Sequence, residues 1–361
     1  MNSRKVSSIN NPQSTEHSFP LDIKILNPLD YDDWNEQIAE LPGSTIFHTS
    51  NWAAVLCESY GYQPRYFTAL KENRIVGCIP MMHVDSLITG RRGVSLPFTD
   101  ECHPLGSPEC VETLLKIAKS HALETGWKRI QLRGNFHTIR SVPSSTFKSH
   151  VIDLNQSKDQ LLRKLRKSTR RNIEKANRNK VGIHDSSNAR AVKTFCLLNC
   201  MTRRRHGLPP QPKRFFDRIE KHILLPGMGF VLTAEVDGGA VASAVFFHFK
   251  QLVVYKYSAS DMAYQNLRPN NLLIWHAIEK CRAAGFSQIH LGRTEVHHRG
   301  LLQFKRGWGA IEKDLHYYDY SPKDRRYYQN NGTLRSSYTL FKKMPMSLLK
   351  LSGRILYRHV G

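Results

Sequence analysis

The chain has 361 residues, of which 40% are apolar and 10% aromatic, enough for roughly two domains with cores of their own and too apolar for a disordered chain. Its 53 lysines and arginines stand against 30 aspartates and glutamates, a formal charge of +23. That balance favours polyanionic company: nucleic acid, phosphorylated metabolites or an anionic membrane surface.

No run of 18 apolar residues is present, so no membrane-spanning helix is expected. The seven cysteines show neither framework spacing nor a CxxC pair, which predicts reduced thiols in a cytoplasmic compartment. Cys196 and Cys200 stand four apart without a second ligand pair, and no metal site is expected there.

Residues 1–20 are polar, lack the apolar core of a signal peptide and read as a disordered tail. Beyond them, periodicity and turn residues predict a strand at 22–26, helices at 31–40 and 51–60, a hairpin at 64–84 and a strand at 94–97. A helix at 107–125 and strands at 128–133 and 150–154 follow, the last closing a first unit. The second unit begins with a strand at 181–184 and helices at 188–204 and 212–223. Strands at 229–236, 240–249 and 252–258 lead to a helix at 269–284, a strand at 287–291, a short helix at 300–306 and a strand at 311–320. Small groups of strands and helices with hairpins among them predict an α/β fold of α+β character with mixed sheets. The common glycine loops for dinucleotides and nucleotide phosphates do not occur.

The two units repeat one pattern. FTALKENRIVGCIPMMHV (67–84) lies over LTAEVDGGAVASAVFFHF (232–249) without a gap, setting Thr68, Ala69, Val76 and His83 on Thr233, Ala234, Val241 and His248. TLLKIAKSHALETGWKRIQLRG (113–134) lies over LLIWHAIEKCRAAGFSQIHLGR (272–293), setting Leu114, Ala118, Gly126, Ile130 and Leu132 on Leu273, Ala277, Gly285, Ile289 and Leu291. Asp237-Gly238 is a hairpin signal. A duplicated unit with a shared cleft is expected, with the chemistry kept in one copy.

Between the units, 157–180 reads as one linker helix with a narrow apolar stripe of Leu162, Leu165, Thr169, Ile173 and Ala176. Ser157 and Gln160 resemble a capping box. Ten basic residues face only Asp159 and Glu174, which makes the helix either a solvated linker or a surface for phosphates. No acid follows Asp324, and the segment from Tyr338 mixes apolar residues with Lys342, Lys343, Lys350, Arg354 and Arg358. It reads as a packed helix or as a basic amphipathic element in peripheral contact with the inner membrane face.

Chemistry concentrates in 255–309. A strand, YKYSASD, runs towards a helix whose first N–H groups have no partner within the helix. Pro269 suits the first turn. Asn270 and Asn271 add amide donors, unless Asn271 is only a polar first-turn residue. Arg293 ends the strand IHLGRT, where ligands of α/β sheets tend to lie. FKRGWG sets Lys305 and Arg306 between Phe304 and Trp308. That is a cation among aromatics fit to meet developing negative charge, or a surface turn with its aromatics packed inward.

TIFHTSNW, GRRGVSLPF, RKSTRRNIEKA, YKYSASDMAYQNLRPNNLLIW and LLQFKRGWG resemble FemAB-like proteins, the branch of the acetyltransferase (GNAT) superfamily with two GNAT-like folds in tandem. The resemblance, over about residues 20–320, implies a first GNAT-like domain at 21–156 and an acyltransferase domain at 181–320, with the basic linker helix at 157–180 between them and the basic amphipathic tail at 321–361 after them. It implies transfer of an acyl or aminoacyl group to an amine of a cell-envelope precursor, peptidoglycan or polysaccharide. The donor stays open between acyl-CoA and aminoacyl-tRNA, and tRNA is accordingly a partner to test.

By the same resemblance Lys305 faces the reacting ester. Arg268, Arg293 and Arg306 are then candidates for phosphate contact. Tyr255, Tyr257 and Asp261 line the strand beneath the acceptor, Asp261 taking the amine proton or capping the next helix. Acetyl-CoA enzymes of the superfamily carry a turn of the form Q/RxxGxG/A before the helix; here it reads QNLRPNN, and HPLGSPE in the first copy. Two other classes compete: a nucleic-acid-binding protein, disfavoured because the linker helix has no aromatic residue, and a non-catalytic module that holds an envelope precursor.

Overall fold

The computed structural model of the chain describes residues 21–329 and 338–360; the expected tail at 1–20 lies outside them. The first copy comprises β1 (Asp22–Leu26), α1 (Trp34–Glu40), α2 (Ser50–Tyr60), β2 (Gln63–Pro64), β3 (Tyr66–Lys71), β4 (Arg74–Ile79), β5 (Met82–Val84), β6 (Arg92–Val94), α3 (Pro108–Glu124), β7 (Arg129–Arg133) and β8 (Ser145–Asp153). Helices α4 (Lys158–Lys164) and α5 (Lys167–Arg178) lead to the second copy. It runs through β9 (Gly182–Asp185), α6 (Ala189–Arg205), α7 (Lys213–Ile219), β10 (Gly229–Val236), β11 (Gly239–Phe249) and β12 (Leu252–Ser260). Then come α8 (Pro269–Ala283), β13 (Gln288–His290), β14 (Thr294–Glu295), α9 (Arg299–Arg306), β15 (Ile311–Ser321) and β16 (Arg326–Tyr328), followed by α10 (Tyr338–Lys343) and α11 (Met346–Val360).

The duplication is written into the backbone. Glu72-Asn73 and Asp237-Gly238 both turn with positive φ at two successive residues, the twist that lets two antiparallel strands close over a two-residue loop. The register slips after Ala69 in β3 and after Ala234 in β10, so the alanines matched in sequence carry the same bulge. In each copy a helix returns the chain to a parallel neighbour: α3 joins β6 to β7, and α8 joins β12 to β13.

Strands β1, β3 and β4 form a small sheet, while the others form one continuous sheet in the order β2-β5-β6-β7-β15-β8-β13-β12-β11-β10-β9. Strand β8, expected to close the first unit, instead lies between β15 and β13 of the second, and β15 inserts between β7 and β8. The copies thus exchange their closing strands, which hydrogen-bonds them along a full strand length. A shared core adds to this: Trp52, fully buried, packs on Phe47, Phe215 and Phe247 at centroid distances of 5.4–6.1 Å. Thr49 caps α2 beneath it, so TIFHTSNW belongs to the core joining the copies and not to a site.

The single linker helix predicted from sequence is two helices. The capping box of Ser157 and Gln160 starts α4, but the chain leaves helical geometry at Leu165 and the Arg166 N–H donates to Gly307 O (3.0 Å). The loop after α9 seats on this joint because it is glycine. A Cβ on Gly307 would stand 2.7 Å from Thr169 Oγ1, and one on Gly309 (φ +70°) 2.8 Å from Lys164 Cβ. Gly309→Ala is therefore expected to cost about 1–3 kcal/mol, from the left-handed backbone and the contact together. A lowered urea midpoint with an unchanged slope would register it.

Candidate active site

Strand β12 pairs with β13 only over Leu252, Val253 and Val254. Beyond that point the strands part, and the N-terminus of α8 stands in the opening with Pro269 in its first turn. The result is a cleft of about 340 Å³ lined by Tyr255, Ser258, Gln265, Arg268, Asn270, Asn271, Phe304 and Lys305, with Asn172 contributed by α5. In the first copy the segment before α3 is zipped onto β4 by reciprocal backbone hydrogen bonds between Leu105 and Cys78 (2.9 Å each), and Gly106 packs on Gly77.

Six residues singled out in the sequence thus meet in one cleft: Tyr255, Arg268, Asn270, Asn271, Phe304 and Lys305. Arg268 stands at φ +62°, ψ 38°, the left-handed conformation, at the position where the glycine-bearing turn would place its first glycine. Its Nε is buried without a hydrogen-bond partner. Holding a non-glycine residue there costs roughly 1–2 kcal/mol, and such strain collects at ligand-binding turns. Arg268→Gly should keep the turn and gain up to about 1 kcal/mol once unfolded-chain entropy is counted. A role for Arg268 in holding a phosphate would add a roughly tenfold loss of turnover or donor affinity from the same change; parallel thermal melts and rate measurements separate the two effects.

Lys305, 5% exposed, donates from Nζ to Gly292 O (2.7 Å) and Arg293 O (3.1 Å). An ammonium has three N–H groups, which leaves one for the cleft. Burial lowers its pKa to about 8; Asp100 opposes that shift and Arg293 reinforces it. Asp100 itself is ion-paired with Lys256 (3.1 Å). Burial opposes its ionisation, but Lys256 and Arg293 keep its carboxyl below the usual range.

The other residues singled out in the sequence stand outside this cleft. Strand β12 bulges between its partners Val245 and Phe246, making Lys256 the extra residue. Strict alternation would put Tyr255 and Tyr257 on one face; the bulge sends Tyr257 to the opposite side, among Phe195, Phe215, Phe216 and Phe247. Tyr257 lines a second cavity of about 350 Å³ that shares Ser258 and Asn270 with the first. Asp261 accepts from the Ala263 N–H (3.0 Å) as a helix cap and borders a third cavity. Trp308, 2% exposed, belongs to the core under α8, leaving Phe304 as the aromatic wall. Arg293 stacks over Phe147 and Tyr317 (4.2 and 5.1 Å). Arg306 forks onto Glu312 (2.7 and 2.8 Å) outside the cleft.

Beside the cleft runs a buried polar seam that sequence reasoning missed. His290 Nε2 lies 2.7 Å from Ser149 Oγ and 3.3 Å from Glu101 Oε1, while Nδ1 accepts the Gly292 N–H (3.2 Å). Hydroxyl and carboxylate address the same ring nitrogen, so no relay runs from carboxylate through imidazole to serine; the seam locks the copies together. Among the described residues no group of three His, Cys, Asp or Glu side chains is placed to hold a metal ion, and no helix is long and apolar enough to cross a membrane.

Residues 163–306, which span α5, the parted strands, α8 and Lys305, match the family described as acetyltransferase (GNAT) domain. Over those residues the chain carries a GNAT acetyltransferase domain. Among solved structures the whole chain is similar to FemX, with a TM-score of 0.67 at 12% identity over 83% of this chain and 97% of that one. It is also similar to L-PGS from Bacillus licheniformis, with a TM-score of 0.54 at 12% identity over 86% and 95%. A tandem GNAT protein from the clavulanic acid biosynthesis pathway gives 0.54 at 10% identity over 84% and 99%. At these identities the likeness is one of fold: two GNAT units in tandem. No curated protein matches the chain by sequence.

Proposed function

We propose that this GNAT domain is an aminoacyl- or acyltransferase acting on an amine of a cell-envelope precursor, with the α8 cleft as its transfer site. The observation that carries the reading is the meeting of Lys305, Arg268 and the α8 N-terminus at the opening between β12 and β13. In the reaction a neutral amine attacks the carbonyl of an activated ester or thioester, the C–N bond forms, and the alcohol or thiol leaves with a proton. The remaining N–H of Lys305 meets the oxyanion in a site where burial strengthens electrostatics. Arg268 and the Asn270 N–H hold a phosphate of the donor or acceptor, since the Asn271 and Leu272 N–H groups already donate to Arg268 O (3.0 and 3.4 Å). Asp261, already a cap, is a poor choice for the base; the amine proton leaves to water or to a substrate group. The likeness in fold to the C-terminal domain of an Agrobacterium fabrum protein described as a lysylphosphatidylglycerol synthetase, whose product would be an aminoacylated phospholipid, supports an aminoacyl group and an envelope acceptor over a nucleic-acid-binding role.

Thermal-shift screening against acetyl-CoA, longer acyl-CoAs, aminoacyl-tRNA and undecaprenyl-linked precursors tests this. A ligand at 100 times its dissociation constant raises stability by about 2.7 kcal/mol. The reading expects such a shift from an aminoacyl-tRNA or an envelope precursor, reduced in Arg268→Ala. Silence from all four classes would remove it.

A further inference from the structure

Helix α11 carries two apolar faces. One is buried: Leu349, Gly353 and Tyr357, spaced by four, pack against α6 and the loop before α7. A Cβ on Gly353 would meet Pro210 O at 2.1 Å. The Tyr357 hydroxyl donates to Pro209 O (3.2 Å) and accepts from Arg203 (2.5 Å). The other face is open: Leu348, Leu351 and Ile355 fall at i, i+3 and i+7, each 51–54% exposed. Between the two faces stand Lys350, Arg354 and Arg358, all exposed.

Across a groove of about 680 Å³ between α6, α7 and α11 stands Leu197 of α6, 56% exposed, with Met201 (44%) one turn further along α6. At the far end of α11 the loop carrying Leu87 (100% exposed) and Ile88 (65%) is tied to it, the Thr89 hydroxyl and Arg92 both donating to His359 O. Lys193 and Lys213 rim the groove; its acids are Asp217, paired with Lys213 at 2.6 Å, and Glu220.

We propose that this face docks on an anionic phospholipid bilayer, α11 lying in the headgroup layer with the Leu348–Leu351–Ile355 stripe and the Leu87–Ile88 tip inserted. An apolar stripe flanked on one side by a row of cations is the arrangement that anionic headgroups and acyl chains complement together. Charge decides against a second copy as occupant. A two-fold pairing of this face would set Lys350, Arg354 and Arg358 against themselves, and no acid occurs between Arg325 and Gly361 to offset them. The inference stands apart from the acyltransferase reading.

The test is co-sedimentation of the full chain with vesicles of phosphatidylcholine mixed with phosphatidylglycerol, and with phosphatidylcholine alone, at 0.1 M and 1 M salt. The expected result is binding to the anionic vesicles at low salt, weakened at high salt as the Debye length falls from about 10 Å to 3 Å. The double variants Leu351→Asp/Ile355→Asp and Lys350→Glu/Arg354→Glu should each lose at least tenfold in partitioning, with unchanged circular dichroism and unchanged transfer to a soluble amine. Wild-type protein that ignores anionic vesicles at low salt, or variants that bind as well as wild type, would overturn the proposal. So would light scattering that shows a dimer broken by the Leu351→Asp/Ile355→Asp variant.

Discussion

Lys305→Ala is expected to lower turnover about 100-fold or more while the protein stays folded, because one oxyanion donor in a buried site is worth about 3 kcal/mol. The fold should tolerate the change. Moving the pKa of Lys305 from 10.5 to about 8 means that burying its ammonium costs roughly 3 kcal/mol, close to the cost of orphaning the two carbonyls it serves. Lys305→Arg should not restore activity fully, since a planar fork does not replace a compact ammonium held by Gly292 and Arg293.

The pH dependence follows with its sign. Below pH 8 Lys305 is charged in both folded and unfolded chains. Between about 8 and 10.5 the unfolded chain holds the extra proton, so this group's destabilising contribution fades as pH rises. Activity moves the other way: turnover should fall as pH passes about 8 and the ammonium is lost. A rate profile flat through that window, in a protein still folded, would take Lys305 out of the chemistry.

Acetyl-CoA is expected to bind with a dissociation constant no better than about 1 mM, roughly −4 kcal/mol. The turn before α8 has the left-handed backbone that the glycine pattern serves, yet it carries the Arg268 and Asn270 side chains where that pattern has glycine and a small residue. Those side chains crowd the approach of a pyrophosphate to the backbone. Calorimetric titration reads this directly, and low-micromolar binding would move the protein to the acetyl-CoA-dependent enzymes.

Much of the architecture was legible because the duplication doubled every signal. Asp237-Gly238 announced its hairpin, and its partner at Glu72-Asn73 followed from the alignment although neither residue is a turn former of the same strength. Helix α8 was fixed by Pro269 and its apolar stripe. What escaped were features decided by contacts far apart in the chain. The exchange of β8 and β15 leaves no mark in local alternation, since a buried strand reads the same beside either copy. The bulge at Lys256 breaks alternation for one residue, and that single residue moved Tyr257 off the face assigned to it. Asp100 reaches Lys256 across 156 positions, beyond any spacing rule. Trp308 read as a pocket wall because an aromatic next to a cation looks alike whether it faces a ligand or a core.

The central claim, that transfer occurs in the α8 cleft, is tested most directly by the intact mass of an amine-bearing peptidoglycan precursor. The precursor is incubated with aminoacyl-tRNA or acyl-CoA and either wild-type protein or Lys305→Ala. The account predicts a gain of one acyl group with wild type, at least 100-fold slower with Lys305→Ala. An equal mass gain with both proteins would place the chemistry elsewhere and contradict it.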